Sequence, residues 1–199
     1  MNAVAKLKNV FLTRLKAWGP PMLQRFAWNR EFAEGHWDFI DSTPDDCIYD
    51  FLARYAKKGA VLDLGCGSGN TGSELAGEHY SQYFGVDISD VAVEKARARA
   101  ARLGRAEKNA YAQGDIAEFR PQGTFDVILF RESIWYIPLH KLSDVLARYR
   151  QHLKPDGIFL VRIYDRNLKA DIVSLLRSSF TVVEERLLSE ERGIILVLR

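Results

Sequence analysis

The stretch that decides the fold reads Val61-Leu62-Asp63-Leu64-Gly65-Cys66-Gly67-Ser68-Gly69-Asn70. A short apolar run passes into three alternating glycines, and helix-forming sequence follows from Asn70. This pattern predicts a buried strand, a tight turn, and a helix whose first N–H groups are free to bind acceptor atoms. Glycines at such a turn also let the backbone approach a ligand closely.

Strand-like and helix-like patterns alternate over the rest of the chain, which predicts a parallel sheet covered by helices. A short polar loop, 189–192, separates the last two strands, so this pair is expected to be an antiparallel hairpin. The predicted strands are 60–64, 83–87, 110–114, 125–130, 158–163, 180–187 and 193–198. One helix is predicted to begin at Thr43-Pro44. The other predicted helices span 70–79, 90–103, 139–153 and 169–178, and Gly104 is the expected C-cap of the helix at 90–103.

Composition limits the function only broadly. The formal net charge of +2 is too small to argue for DNA or other nucleic acid as a partner. Cys47 and Cys66 form neither a disulfide framework nor a metal-ligand cluster, so we expect reduced thiols, no metal and a cytoplasmic setting. Apolar runs fall short of the length that a membrane span needs.

The N-terminal segment differs from the remainder in charge. Residues 1–30 carry bases without acids, and 31–50 carry acids without bases. Within 4–18 an apolar stripe at helical spacing lies beside four basic residues, which predicts an amphipathic helix. This helix either docks on the protein body or a second subunit, or lies on an anionic membrane surface. We expect a helical extension or lid over 1–44 and the main domain over 45–199, with the oligomeric state open.

The glycine loop alone is ambiguous, because Gly67-Ser68-Gly69-Asn70-Thr71-Gly72 also matches the dinucleotide fingerprint. Acids near the strand ends narrow the choice. Asp87 follows Gly69 by 87 − 69 = 18 residues and can accept the ribose hydroxyls of an adenosine ligand, or cap the next helix. Asp115 can accept an adenine amino group while Ile116 packs on the ring, or it is a turn residue. Buried Asp63 needs a partner, either the loop N–H groups or a ligand ammonium.

Together these features resemble the class I S-adenosylmethionine (SAM)-dependent methyltransferase family. The matching stretches are 61–70, 83–89, 113–119, 125–137 and 153–161. The resemblance implies a doubly wound α/β fold whose seven-stranded sheet has order 3-2-1-4-5-7-6, with strand 7 antiparallel. It also implies that SAM lies over the carboxyl ends of the strands. The residues it assigns to SAM are Asp63, Gly65, Cys66, Gly67, Asn70, Asp87, Ile88, Asp115, Ile116, Phe130, Arg131 and Trp37.

The family resemblance places the segment 130–136 beside the reacting methyl group. There Glu132 is the candidate base, or positions an amine or hydroxyl, or is a surface carboxylate. Tyr136 and His140 are further catalytic candidates. His36 is another, in a segment that often forms a lid in the family, where Trp28, Phe32 and Trp37 can close the pocket or form a packing cluster.

The sequence therefore predicts a SAM-dependent methyltransferase acting on an oxygen or nitrogen atom of a small molecule, with S-adenosylhomocysteine (SAH) as product. An amphiphilic or lipid-linked acceptor would account for the N-terminal helix. The alternatives are a non-catalytic SAM-binding module and an RNA or protein methyltransferase. For RNA, a basic stripe is formed by Arg97, Arg99, Arg102 and Arg105, although a solvated helix face also accounts for these residues. A nicotinamide-dependent oxidoreductase fits less well, because Tyr136 is followed four residues later by His140 and not by lysine.

Overall fold

The computed structural model describes residues 16, 19–188 and 192–199; the predicted helix at 4–18 lies outside them except for Lys16. Seven strands form one sheet. They are β1 Ala60–Leu64, β2 Gln82–Asp87, β3 Asn109–Gln113, β4 Phe125–Arg131, β5 Leu153–Ile163, β6 Val182–Leu188 and β7 Gly193–Leu198.

Helices surround the sheet. The α-helices are α1 Pro21–Ala33, α2 Ile48–Ala56, α3 Asn70–Glu74, α4 Asp90–Arg102, α5 Leu139–Arg150 and α6 Ala170–Ser179. Short 3-10 helices occupy Asp38–Ile40, Gly77–His79 and Ile134–Tyr136.

The strand order is β3-β2-β1-β4-β5-β7-β6, which confirms the predicted doubly wound sheet. Strands β1 to β5 pair in parallel, whereas β7 runs antiparallel to both β5 and β6. The carboxyl ends of β1 to β5 therefore meet at one edge, where open α/β sheets bind their ligands.

The core consists of one apolar layer on each face of the sheet. Helices α2 and α4 cover the face that carries Val61, and helices α5 and α6 cover the face that carries Leu62. All five residues of β1 are buried, because helices lie on both of its faces. Helix α1 packs against α4 at the carboxyl edge. The division into 1–44 and 45–199 stays a prediction.

The helix predicted over 70–79 is wrong in extent, since α3 ends at Glu74 and a separate 3-10 turn follows. A longer helix would need the carbonyl groups of Gly72 and Leu75 as hydrogen-bond acceptors, and both already accept hydrogen bonds from side chains. Gly72 O accepts hydrogen bonds from Arg105 (3.0 Å) and from the Asn109 amide (2.8 Å). Leu75 O also accepts from Arg105, at 2.7 Å.

Two other predicted elements begin several residues away from their expected starts. The helix expected from Thr43-Pro44 begins at Ile48, because the Thr43 N–H donates to Glu74 at 2.8 Å and Asp46 accepts the Ile48 N–H at 3.0 Å. Strand β5 begins at Leu153 and not at Ile158. The intervening residues 154–157 are skipped in the register with β4, so the predicted turn survives as an irregularity within the strand. Gly104 adopts a φ of 65°, which fits its predicted place after α4.

Candidate functional site

A cavity of about 750 Å³ opens at the carboxyl edge of the sheet, a volume typical of small-molecule sites. The glycine loop, the segments after β2 to β5, and α1 with the residues that follow it form its walls. The predicted site residues that line it are Trp37, Asp63, Gly65, Cys66, Gly67, Asn70, Asp87, Ile88, Asp115, Ile116, Arg131, Glu132 and Tyr136.

The glycine loop is clamped onto β2. The N–H groups of Gly65 and Cys66 both donate to Val86 O, at 2.8 and 3.0 Å. Gly65 has a φ of 85°, and a Cβ built there would overlap the Ser133 side chain. A residue without a side chain is therefore required at this position. The loop N–H groups at Gly65, Cys66 and Gly67 bond within the protein, so these three groups stabilise the loop itself.

Asp87 at the end of β2 braces the same loop. Its Oδ2 accepts the Gly67 N–H and its Oδ1 accepts the Ser89 N–H, both at 2.9 Å. Burial raises the pKa of Asp87 to about 6. The helix cap is Ser89, whose hydroxyl accepts the Ala92 N–H at 3.1 Å, so Asp87 is not the cap of α4. Each Asp87 oxygen keeps a lone pair for a further donor.

Asp63 is a buried acid whose two carboxylate oxygens differ in their hydrogen bonding. Its Oδ2 accepts a hydrogen bond from the Tyr83 hydroxyl, whereas its buried Oδ1 has no hydrogen-bond partner among the described residues. Burial raises the pKa of Asp63 to about 6, against the opposing effects of Tyr83 and Arg131. A buried acceptor without a donor costs free energy, so this oxygen marks a position for a ligand's donor or cation.

Asp115 follows β3 at the cavity wall. Its Oδ1 accepts the Ala117 N–H at 2.8 Å, as in the turn that was the alternative interpretation. Ile116 is 9% exposed and lines the same cavity. The turn fixes the Asp115 carboxylate and leaves its second oxygen for another donor.

Another wall of the cavity carries a chain of ion pairs, in the order Arg131, Asp46, Arg162 and Glu132. Arg131 donates to Asp46 at 2.6 Å, and Arg162 pairs with Glu132 and lies 3.5 Å from Asp46. Glu132 also accepts the Tyr164 N–H at 3.0 Å and has a φ of 60°, rare for a residue with a side chain. Burial raises the pKa of Glu132 to about 7, although Arg162 opposes this shift. The network holds the Glu132 carboxylate rigidly against the cavity.

Aromatic rings form the remaining wall. The ring centroid of Trp28, on α1, lies 5.1 Å from that of Tyr136 in an edge-on contact. It lies 5.6 Å from that of Trp37, with the two rings tilted. Contacts of this kind join the N-terminal residues to the segment after β4. The aromatic residues that line the cavity are Trp28, Phe32, Trp37, Phe39, Trp135, Tyr136 and Tyr164.

Three predicted site residues lie away from the cavity lining. Phe130 is fully buried against Tyr149 and Phe159, because neighbouring residues of a strand face opposite sides of the sheet and Arg131 faces the site. The His36 side chain is 59% exposed and lies 3.5 Å from Glu34. His140 is exposed in the first turn of α5. We therefore assign none of the three to the site.

The sequence also left out residues that the fold brings to the cavity. Arg162 and Tyr164 come from β5 and the residue after it, and Thr43, Asp46 and Lys16 come from the N-terminal side. A single base inside the aliphatic run of β5 was an available signal for Arg162, because a buried charge needs a partner. Nothing in the local pattern distinguished the others.

Among the described residues, no group of three or more His, Cys, Asp or Glu side chains is placed to hold a metal ion. Over the same part of the chain, no helix is both long and apolar enough to cross a membrane. The cytoplasmic setting stays a prediction.

The doubly wound sheet with an antiparallel final strand, the clamped glycine loop and the acid at the end of β2 are typical of α/β folds whose ligand sites lie at the carboxyl edge of the sheet. Residues 61–157 match the model of a family described as "Methyltransferase domain". This matched stretch, just under half of the chain, and the strand order are those of the class I SAM-dependent methyltransferases, which the chain resembles.

Individual relatives agree. Carboxy-S-adenosyl-L-methionine synthase of Wolinella succinogenes is 36% identical over 114 residues, which cover 55% of this chain and 46% of the relative. The chain spans about a third to a half of the length of the curated relatives it matches. A SAM-dependent methyltransferase from Thiobacillus denitrificans, solved with SAH, has a TM-score of 0.57 and 25% identity, covering 73% of this chain and 67% of its own.

The N-methyltransferase NodS from Bradyrhizobium japonicum, also solved with SAH, superimposes with a TM-score of 0.69. The match covers 88% of this chain and 97% of NodS at 19% identity. It therefore supports the fold and carries no statement about the acceptor.

Proposed function

We propose that this protein is a SAM-dependent methyltransferase that transfers a methyl group to an oxygen or nitrogen atom of a small-molecule acceptor. The observation that carries the proposal is the cavity where the clamped glycine loop, Asp87 and the unpartnered Asp63 oxygen meet. The T. denitrificans structure contains SAH and the W. succinogenes relative is named for a SAM derivative, which favours SAM over a dinucleotide.

The donor set fits the parts of SAM. The unpartnered Oδ1 of Asp63 suits the ammonium group of the methionine moiety, since a cation compensates a buried carboxylate. The remaining lone pairs of Asp87 suit the ribose hydroxyls. Asp115 suits the adenine amino group, with Ile88 and Ile116 on the ring. Further residues proposed to contact SAM are Gly65, Cys66, Gly67, Asn70, Arg131 and Trp37.

SAM supplies a methyl group already activated on a sulfonium, so the protein's task is to align an acceptor lone pair in line with that carbon and to exclude water. The aromatic wall of Trp28, Trp37 and Tyr136 provides a largely apolar, water-excluding side to the cavity. Glu132 is the proposed proton acceptor, because a carboxyl whose pKa is about 7 can take a proton near neutral pH. Its contacts with Arg162 and Tyr164 hold the carboxylate in place.

Calorimetry tests the ligand, with SAM, SAH and NAD titrated separately. We expect micromolar binding of SAM and SAH and no heat with NAD; binding of NAD without SAH would refute the proposal. Transfer is tested with methyl-labelled SAM and three separate cell fractions: dialysable small molecules, RNA and protein. Label in the dialysable fraction supports a small-molecule acceptor. Label in RNA or protein, or SAH binding with no transfer to any fraction, would contradict that part of the proposal.

A further inference from the structure

The side chain of Lys16, a residue that precedes α1, lines the cavity. The Nζ of Lys16 lies 4.7 Å from the ring centroid of Trp28 and 5.9 Å from that of Trp37. The same Nζ lies 2.7 Å from Glu31 Oε1. The side chains of Lys16 and Glu31 are only 13% and 15% exposed. An ammonium group thus sits between two indole rings and a carboxylate, the arrangement that binds alkylammonium ions.

The walls of this site are held together without Lys16. Trp28 and Glu31 lie three residues apart on α1, so they share a face of the helix. The Trp37 Nε1–H donates to Glu31 Oε2 at 2.8 Å, which fixes the second indole. Tyr136 packs edge-on against Trp28 at 5.1 Å from the other side. We call Trp28, Glu31 and Trp37 the cation cage.

Lys16, in contrast, is not part of α1. Gly19 and Pro20 separate it from the helix, which begins at Pro21, and Pro20 has extended dihedral angles (φ −56°, ψ 146°). If Lys16 moves away, the Glu31 carboxylate keeps its bond to Trp37 but loses the cation that compensates its charge. A mostly buried carboxylate without a cation is costly, so the empty cage has a strong preference for another positive charge.

We infer that the cation cage binds an alkylammonium group of the acceptor, and that Lys16 occupies the cage and competes with that ligand. This inference rests on the proposed methyltransferase function and adds the class of acceptor. The ammonium group is a handle and not the methylated atom, because a protonated or quaternary nitrogen has no lone pair. The acceptor therefore carries a second, nucleophilic oxygen or nitrogen atom that reaches toward Glu132.

The location of the cation cage fits an acceptor that carries its ammonium group at one end and the methylated atom at the other. Lys16, Trp28 and Trp37 line the same cavity as Glu132 and the glycine loop. Tyr136, which touches Trp28, belongs to the segment that follows Glu132. A ligand anchored by its cation at the aromatic wall can thus extend into the part of the cavity where methyl transfer is proposed.

Choline and its uncharged carbon isostere 3,3-dimethylbutan-1-ol are the probes, titrated by calorimetry into the full chain. Lys16→Met should bind choline at least about tenfold more tightly than the unchanged protein, because the competing ammonium is gone. The isostere should gain no affinity, since it lacks the charge. Adding Glu31→Gln to Lys16→Met should reverse the gain. Lys16→Gln is measured in parallel, so that poor folding of one variant leaves the test intact.

Lys141→Met is the matched control: it removes an exposed lysine of α5, 3.5 Å from Glu118, and should leave choline binding unchanged. Equal choline affinity before and after Lys16→Met, or an equal gain for the isostere, would overturn the cage. SAH is titrated into the same samples. Binding of SAH without the choline response rejects the cage and keeps the proposed function; the choline response without SAH binding rejects the proposed function and keeps the cage.

Discussion

Replacing Asp63 with asparagine should move stability and ligand affinity in opposite directions. The variant keeps the shape of the side chain and an oxygen that accepts the Tyr83 hydroxyl hydrogen bond. It removes a negative charge that has no hydrogen-bond partner on Oδ1 among the described residues. A residue that only supports the fold would lose stability on such a change, whereas a residue held charged for a ligand should gain it.

The stability change follows from the pKa of Asp63, which burial raises from 3.8 to about 6. Between these values the folded protein binds the proton more tightly than the unfolded chain, so the free energy of unfolding falls as pH rises through this window. Above about pH 7 the loss is complete and amounts to roughly 3 kcal/mol at 1.36 kcal/mol per pKa unit. Asp63→Asn removes this titration and should raise the free energy of unfolding at neutral pH by at most that amount, less the cost of about 1–3 kcal/mol for a buried amide N–H without an acceptor.

Affinity should change the other way. A hydrogen bond to a charged group contributes about 1.5–3 kcal/mol, so the variant should bind SAH about 10- to 150-fold more weakly near neutral pH. At about pH 5, one unit below its pKa, only about a tenth of Asp63 is ionised, so affinity of the unchanged protein should fall about tenfold. Asp87 titrates in the same range, so the contribution of Asp63 is the difference between the two proteins' pH profiles.

Urea unfolding and SAH calorimetry, each between about pH 5 and pH 7.5, measure the two effects. Asp126→Asn is the control: Asp126 holds the Ala60 N–H and Lys154, both at 2.7 Å, at the far end of the sheet. The Asp126→Asn variant should have a lower free energy of unfolding and an unchanged affinity for SAH. The reasoning is refuted if Asp63→Asn behaves like this control.

Asp87→Ala should weaken SAH binding by about 1–3 kcal/mol in calorimetry, because ribose hydroxyls lose an acceptor; unchanged affinity would contradict the ribose assignment. Gly65→Ala should lower the free energy of unfolding by several kcal/mol in urea, since the new methyl overlaps Ser133. Gly104→Ala, with a similar φ of 65° but open space, should cost only about 1–2 kcal/mol, and equal losses would rule out the overlap. Glu132→Gln should slow transfer to an identified acceptor by about 10²–10⁴-fold with SAH affinity retained, and a normal rate would exclude it as the base.

The sequence was most informative where chemistry and strand ends coincide. Asp63, Asp87 and Asp115 lie at or next to the carboxyl ends of adjacent parallel strands, and parallel strands bring those ends to one edge by geometry alone. Family resemblance added the strand order, which local patterns do not contain. The roles of the acids were less predictable, because Asp87 binds the loop N–H of Gly67 through a contact whose partners lie twenty residues apart.

The residues that sequence reasoning missed depend on long-range partners. Arg162 and Asp46 meet only because β5 and the residues before α2 reach the same edge, and no local period reports this. Lys16 lines the cavity although it belongs to a segment predicted to be an amphipathic helix, whose docking position the sequence does not specify. Phe130 was assigned to the site although the alternation of β4 places it opposite Arg131, and this error was avoidable from the two-residue period.

The electrostatics of the cavity unify the two proposals. Three carboxyl groups around it, Asp63, Asp87 and Glu132, have pKa values raised by burial to between about 6 and 7. Glu31 is a fourth carboxylate beside the aromatic wall, compensated by Lys16 from a separate segment. Of these four carboxylates, Asp63 has an oxygen without a hydrogen-bond partner among the described residues, and Glu31 would need another cation if Lys16 were displaced. The ammonium of SAM would compensate Asp63, and an alkylammonium acceptor would replace Lys16 at Glu31. Because both ligands bind the folded chain, either should increase the free energy of unfolding.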